Sequence, residues 1–241
     1  MARPEFDLGA QMNIKVSILV FMGAFVLFPI IANADSRGWY IAADLGRSHY
    51  DDVGAQSVQI VTQINQLYPS GTSLQITSDG SDTAYRLSGG YQFNAYWGLE
   101  VSYVDFGTAT ITEDPAYLMA CGVCYPESGV VDATIKAHGW VLVGTAAYPF
   151  NDHWSLIGRL GVIDDSVELD VNTTPISTNH PNVSYSSSGH LNTTYGVGAV
   201  WSFANQWSAR LGWDRYLSLG NSSTTGKYTL ELTSIGMVYR F

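Results

Sequence analysis

Four groups of side chains in this 241-residue chain are capable of chemistry. Cys121 and Cys124 form a single C-x-x-C. A structural zinc needs four ligands, and no His spacing completes this set. A thioredoxin-like redox role needs a βαβ context, which is missing, so we expect a Cys121–Cys124 disulfide formed in an oxidising compartment. The adjacent acids Asp51-Asp52 and Asp164-Asp165 offer oxygen ligands to Ca²⁺ or Mg²⁺, but neither has EF-hand spacing and no metal site is assigned. His49, His138 and His190 are scattered among serines and acids. Hydrolysis of an acyl chain requires Ser, His and acid to converge in space; no spacing indicates that, so no catalytic residue and no cofactor are assigned. The last group is Asp44, Arg86, Glu100, Arg159 and Arg210, which becomes a set only when the chain is laid out as strands.

Composition restricts what those strands build. Only 13% of residues are charged, about half the usual ~25% of soluble domains. Disorder is excluded by 46% hydrophobic and 13% aromatic content. A net charge of −10 with eleven dispersed basic residues excludes nucleic acid as partner. At the N-terminus, Lys15 precedes the uncharged apolar run Val16 to Ile31, followed by Ala32-Asn33-Ala34. That order is a secretory signal, so residues 1–34 are read as an N-terminal extension and cleaved leader, with Met12 rather than Met1 as the start. The run is shorter than the ~20 residues of a spanning helix, contains Pro29, and nothing after Ala34 approaches that length.

Residues 35–241 are read as one domain of eight segments that alternate with period two. Trp39, Ile41, Ala43 and Leu45 oppose Tyr40, Ala42, Asp44 and Gly46 in the first. Tyr85, Leu87 and Tyr91 oppose Arg86, Ser88 and Gly90 in the second, and Leu99, Val101 and Tyr103 oppose Glu100 and Ser102 in the third. The others are centred on Leu142, Leu160, Val197, Leu211 and Ile235. Charge and glycine keep to one face, with Asp105 the exception. Short links (Asn94–Tyr96, Asn151–His153, Ala204–Gln206) alternate with long ones, about Asp51–Asp82, Thr108–Ala133, Asp165–Gly189 and Ser218–Lys227. Aromatic residues collect toward the segment ends. An even number of ~10-residue strands, unequal loops and two aromatic belts predict an all-β, eight-stranded antiparallel up-and-down transmembrane β-barrel. Short turns and both termini then face the periplasm, and long acidic loops face outside.

Gly38 to Gly46, Gly89 to Glu100, Tyr148-Pro149-Phe150, Arg159-Leu160-Gly161, Arg210-Leu211 and Tyr239-Arg240-Phe241 together resemble the transmembrane domain of the OmpA family. The resemblance covers all eight segments but not the loops. It implies an outer-membrane location among lipid and lipopolysaccharide. It also implies that Tyr239 and Phe241 end the strand read by the outer-membrane insertion machinery. Family members often continue into a peptidoglycan-binding domain; this chain stops at Phe241, so the barrel alone is expected. The family keeps an ionic network inside, and Arg210 and Glu100 occupy matching positions, whereas Thr145 and Val200 stand where a Lys and a second acid are found.

An eight-stranded barrel is just wide enough for its own side chains. By parity Asp44, Arg86, Glu100, Arg159 and Arg210 point inward, where charges must pair. Glu100 is expected to bridge Arg210, and Asp44 to engage Arg159 or Arg86, which leaves two acids against three arginines. The expected role is structural and interactive: envelope integrity, with loops that meet host surfaces or phage. The alternatives are a narrow, weakly conducting pore gated by the network and, further off, a lipid A-modifying enzyme.

Overall fold

The computed structural model describes residues 37–51, 75–117, 128–174 and 183–241. The expectations for residues 1–34, for Cys121 and Cys124 and for Asp52 lie outside the described residues.

Nine strands run β1 (Gly38–Tyr50), β2 (Gln75–Asp79), β3 (Ser81–Gln92), β4 (Trp97–Tyr117), β5 (Ser128–Pro149), β6 (Trp154–Thr174), β7 (Val183–Ser202), β8 (Trp207–Leu219) and β9 (Tyr228–Arg240). All pairings are antiparallel, each barrel strand lies beside its neighbours in sequence, and β1 pairs with β9 to complete the ring. Both β2 and β3 pair with β4, β2 with Thr110–Asp114 and β3 with Gly98–Asp105. They are one stave interrupted at Gly80, opposite a register shift in β4 between Asp105 and Thr108. The result is a closed eight-stave barrel.

Asparagine side chains close two of the three short turns. Asn94 Oδ1 accepts the N–H groups of Tyr96 (2.8 Å) and Trp97 (2.9 Å), and Asn151 Oδ1 accepts those of His153 and Trp154, both at 2.9 Å. Such side-chain closure of a turn is why Asn recurs there. Gly38 and Phe241 lie at this same turn end, where the Phe241 N–H donates to the Trp39 carbonyl at 3.1 Å. The aromatics there touch edge to face, as in Trp39–Tyr91 (5.0 Å) and Tyr239–Phe241 (5.2 Å), while Trp154 and Trp201 stack at 6.0 Å.

The loop end differs from the sequence expectation. Much of the segments read as the links Thr108–Ala133 and Asp165–Gly189 is strand: β4 to β7 have 20 to 22 residues, against 13 in β1, β8 and β9. A membrane crossing needs about 9–11, so half of the barrel wall continues well past the apolar band. Polarity changes sign along it. In the lower part of β6, Leu156, Leu160 and Val162 face outward and Arg159 inward. Higher up, Ile163 and Val167 are buried with Asp165 between them, while Asp164 and Glu168 are exposed. The same swap occurs in β5, where exposed Trp140 and Leu142 give way to exposed Lys136 and buried Ile135 and Ala137. In β5 and β6 the inward parity is kept throughout, and what changes is the medium outside.

Candidate functional site: the barrel lumen

Side chains from β1, β3, β4, β6 and β8 meet at mid-height inside the barrel. Glu100 lies 2.7 Å from Arg210 Nη1. Arg210 Nε donates to Asp44 Oδ1 at 3.0 Å, and its Nη2 closes a second contact to the same carboxylate. Asp44 Oδ2 is 3.0 Å from Arg86 Nε, and Arg86 Nη1 donates to Asp214 Oδ2 at 2.6 Å. The last link is Asp214 Oδ2 accepting from Arg159 Nη2 at 2.8 Å. Arg159 Nε is also 2.8 Å from Asp214 Oδ1 but poorly aligned, so we count it as an ionic contact rather than a hydrogen bond. The six charges thus form one alternating file, Glu100, Arg210, Asp44, Arg86, Asp214, Arg159, and all are buried. At its acidic end Glu100 accepts from the Tyr40 hydroxyl (2.9 Å) and Ser102 (3.3 Å).

The five expected residues therefore come together, and a sixth joins them. Asp214 balances the charges at three against three and corrects the expected excess of one cation; Asp44 engages Arg86 and Arg210 rather than Arg159. Its signal was present, since Asp214 shares inward parity with Arg210 in β8. Glycines make the room: a Cβ at Gly236 would collide with the Asp44 carboxylate, one at Gly196 with Asp214, and one at Gly212 with Arg159.

Above this file the interior turns apolar. Val104, Phe106, Ile163, Tyr216, Leu230 and Leu232 are all essentially buried and belong to one continuous core. Phe106 and Tyr216 meet edge to face at 4.7 Å. The β8–β9 turn folds over it: the Gly220 N–H donates to Asp165 Oδ2 at 2.7 Å, and Asn192 donates to Asp165 Oδ1 at 2.6 Å. Burial raises the Tyr228 hydroxyl pKa above the ordinary phenol range, and that hydroxyl donates to the Thr225 carbonyl at 2.7 Å.

The remaining candidates have other roles. Asp164 and Asp165 point to opposite faces of β6, as consecutive strand residues must, so they cannot grip one ion. Asp51 pairs with Arg215 at 2.5 Å. Among the described residues no cluster of three metal-ligating side chains occurs. His190 sits between Ser187 (3.4 Å from Nδ1) and Asn221 Nδ2 (3.3 Å from Nε2). Because Asn221 Oδ1 accepts from Ser223 N–H, its amide nitrogen is what faces the imidazole. His49 contacts Ser81 at 2.9 Å, and the His138 ring lies 6.2 Å from Tyr103. Asp105, the outward exception, accepts from Gly107 N–H (2.8 Å) and the Tyr85 hydroxyl (3.1 Å), which holds the β4 bulge.

Residues 34–241 match the family described as OmpA-like transmembrane domain. The chain belongs to that family. It is an outer-membrane β-barrel. It is 25% identical over 232 residues to outer membrane protein A of Escherichia fergusonii, covering 94% of this chain and 54% of that protein. The chain thus spans about half the length of the curated relatives it matches. Among solved structures, Ail of Yersinia pestis is similar at 14% identity and a TM-score of 0.43, covering 85% of this chain and 99% of Ail. The N-terminal barrel of Pseudomonas aeruginosa OprF is similar at 11% identity and a TM-score of 0.44, covering 86% and 99%.

Proposed function

We propose that this OmpA-like barrel is a structural and surface-interaction protein of the outer membrane, with a lumen closed to solutes. It anchors in the bilayer by its lower band, and the wall made by β4 to β7 extends beyond that band. Short turns and both described chain ends sit at one end, which supports a periplasmic placement for that end. Tyr239 and Phe241 finish the closing strand and are the residues that the insertion machinery reads. The loop end contacts lipopolysaccharide, host surfaces or phage.

The observation that carries this reading is the double closure of the lumen. A neutral file of paired charges fills the middle, and an apolar core with edge-packed rings fills the loop end. A gate made from the charge file alone would still leave an ion facing apolar side chains above it, where ions are strongly disfavoured. Purified barrels reconstituted in planar bilayers should therefore leave the baseline current unchanged. Reproducible single-channel steps, abolished by denaturing the barrel before reconstitution, would contradict closure and favour the narrow pore.

A further inference from the structure

Among the described residues, the outer wall of β1 carries a cation with no partner in the protein. Arg47 of β1 points outward and is exposed, and among the described residues it has no hydrogen-bond or ion-pair partner. Two acids of this end of the wall, Glu231 and Asp51, are committed elsewhere. Glu231 accepts from Arg215 (2.9 Å) and from Trp213 Nε1 (3.3 Å), and Asp51 pairs with Arg215. Directly across the strands from Arg47 stand Thr83 of β3 and Thr233 of β9, both exposed. Facing side chains at such positions are about 5 Å apart, so two hydroxyls flank one guanidinium.

Depth makes this arrangement informative. The row immediately below holds Leu45, Tyr85 and Ile235, which are 59%, 45% and 64% exposed on the lipid-facing band. The row above is polar: His49, Ser81 and Glu231. Arg47 thus occupies the first polar row at the loop end, where acyl chains give way to headgroups. A guanidinium at the edge of hydrocarbon needs an anion, and hydroxyl donors on each side suit a tetrahedral phosphate with several acceptor oxygens.

We propose that Arg47, Thr83 and Thr233 form a binding site for the phosphate of an outer-leaflet phosphorylated glycolipid. This rests on the orientation proposed above, which puts the loop end in the outer leaflet. Charge complementarity selects the occupant, because the lower wall presents no other unpaired cation at that row on β1, β3 or β9 among the described residues.

The test uses the full chain, checked as folded by heat-modifiable gel mobility, in phosphatidylcholine nanodiscs. The discs contain lipid A, the same lipid A with its phosphates removed, or phosphatidylglycerol. Native mass spectrometry then reads the lipid retained after release. Wild type should retain lipid A at least fivefold over the dephosphorylated form and over phosphatidylglycerol. Arg47→Gln and, independently, the Thr83→Val/Thr233→Val pair should lose that preference, whereas Lys136→Gln, on the far side of the barrel, should keep it. Equal retention of the two lipid A forms, or an unchanged preference in folded Arg47→Gln, overturns the site. Equal retention of phosphatidylglycerol overturns the assignment to glycolipid. These readouts do not depend on cellular orientation. Protease accessibility of the loop end on intact cells tests that separately, and its failure would remove the outer-leaflet placement whatever the lipid result.

Discussion

Asp214 is the member of the lumen file whose loss should cost most. Among the described residues it is the only acid in contact with Arg159 and one of two in contact with Arg86. Asp214→Ala leaves the Arg159 guanidinium buried without a carboxylate and removes a 2.6 Å partner from Arg86. Removing one partner of a buried pair costs about 3–5 kcal/mol because the other charge stays behind uncompensated. Glu100→Ala is milder by the same reasoning, since Arg210 keeps both contacts to Asp44. With a urea slope of about 2 kcal/mol per molar, Asp214→Ala should lower the unfolding midpoint by about 2 M, and Glu100→Ala by less. The midpoint is read from the heat-modifiable gel band of barrels equilibrated in detergent. Adding Arg159→Met to Asp214→Ala should recover part of the loss, because the stranded charge is then gone. A shift below about 0.5 M for Asp214→Ala, or a larger one for Glu100→Ala, would refute the alternating file.

Three other expectations follow from the packing. Gly236→Ala pushes a methyl into the Asp44 carboxylate and the Ala43 carbonyl, so overpacking should cost about 1–3 kcal/mol in the same assay. Phe106→Ala empties the ring site against Tyr216 and should cost about 3–5 kcal/mol, detected as a lower midpoint with an unchanged slope. Phe241→Ser should slow insertion into proteoliposomes containing the insertion machinery while leaving spontaneous folding into detergent at its wild-type rate; equal slowing of both would show that the residue acts through stability alone.

The membrane-embedded half was legible because its period-two pattern has a constant meaning: lipid requires apolar side chains on every outward position, as at Leu45, Leu160 and Ile235. The charge file follows from parity, which sets Asp214 on the same inward face of β8 as Arg210. The extended wall was harder to see for a physical reason. Beyond Trp140 and Asp164 the outward medium is water, so Lys136, Glu168 and their neighbours reverse the polarity of the alternation while the strands continue. A reading that equates apolar with outward loses the strand at that point and records a loop. Asp165 shows the same effect in one residue: grouped with the exposed acids by sequence, it is 1% exposed and ties the β8–β9 turn to the wall.

Depth along β6 offers the most direct test of the account. Single cysteines at Leu160, Val162, Glu168 and Asp170, each carrying a small fluorophore, would be compared in bilayers containing brominated acyl chains. Strong quenching is expected at Leu160 and Val162 and none at Glu168 and Asp170, with the boundary near Asp164. Equal quenching along the strand, or none at Leu160, would contradict a wall that leaves the lipid where its outward polarity reverses.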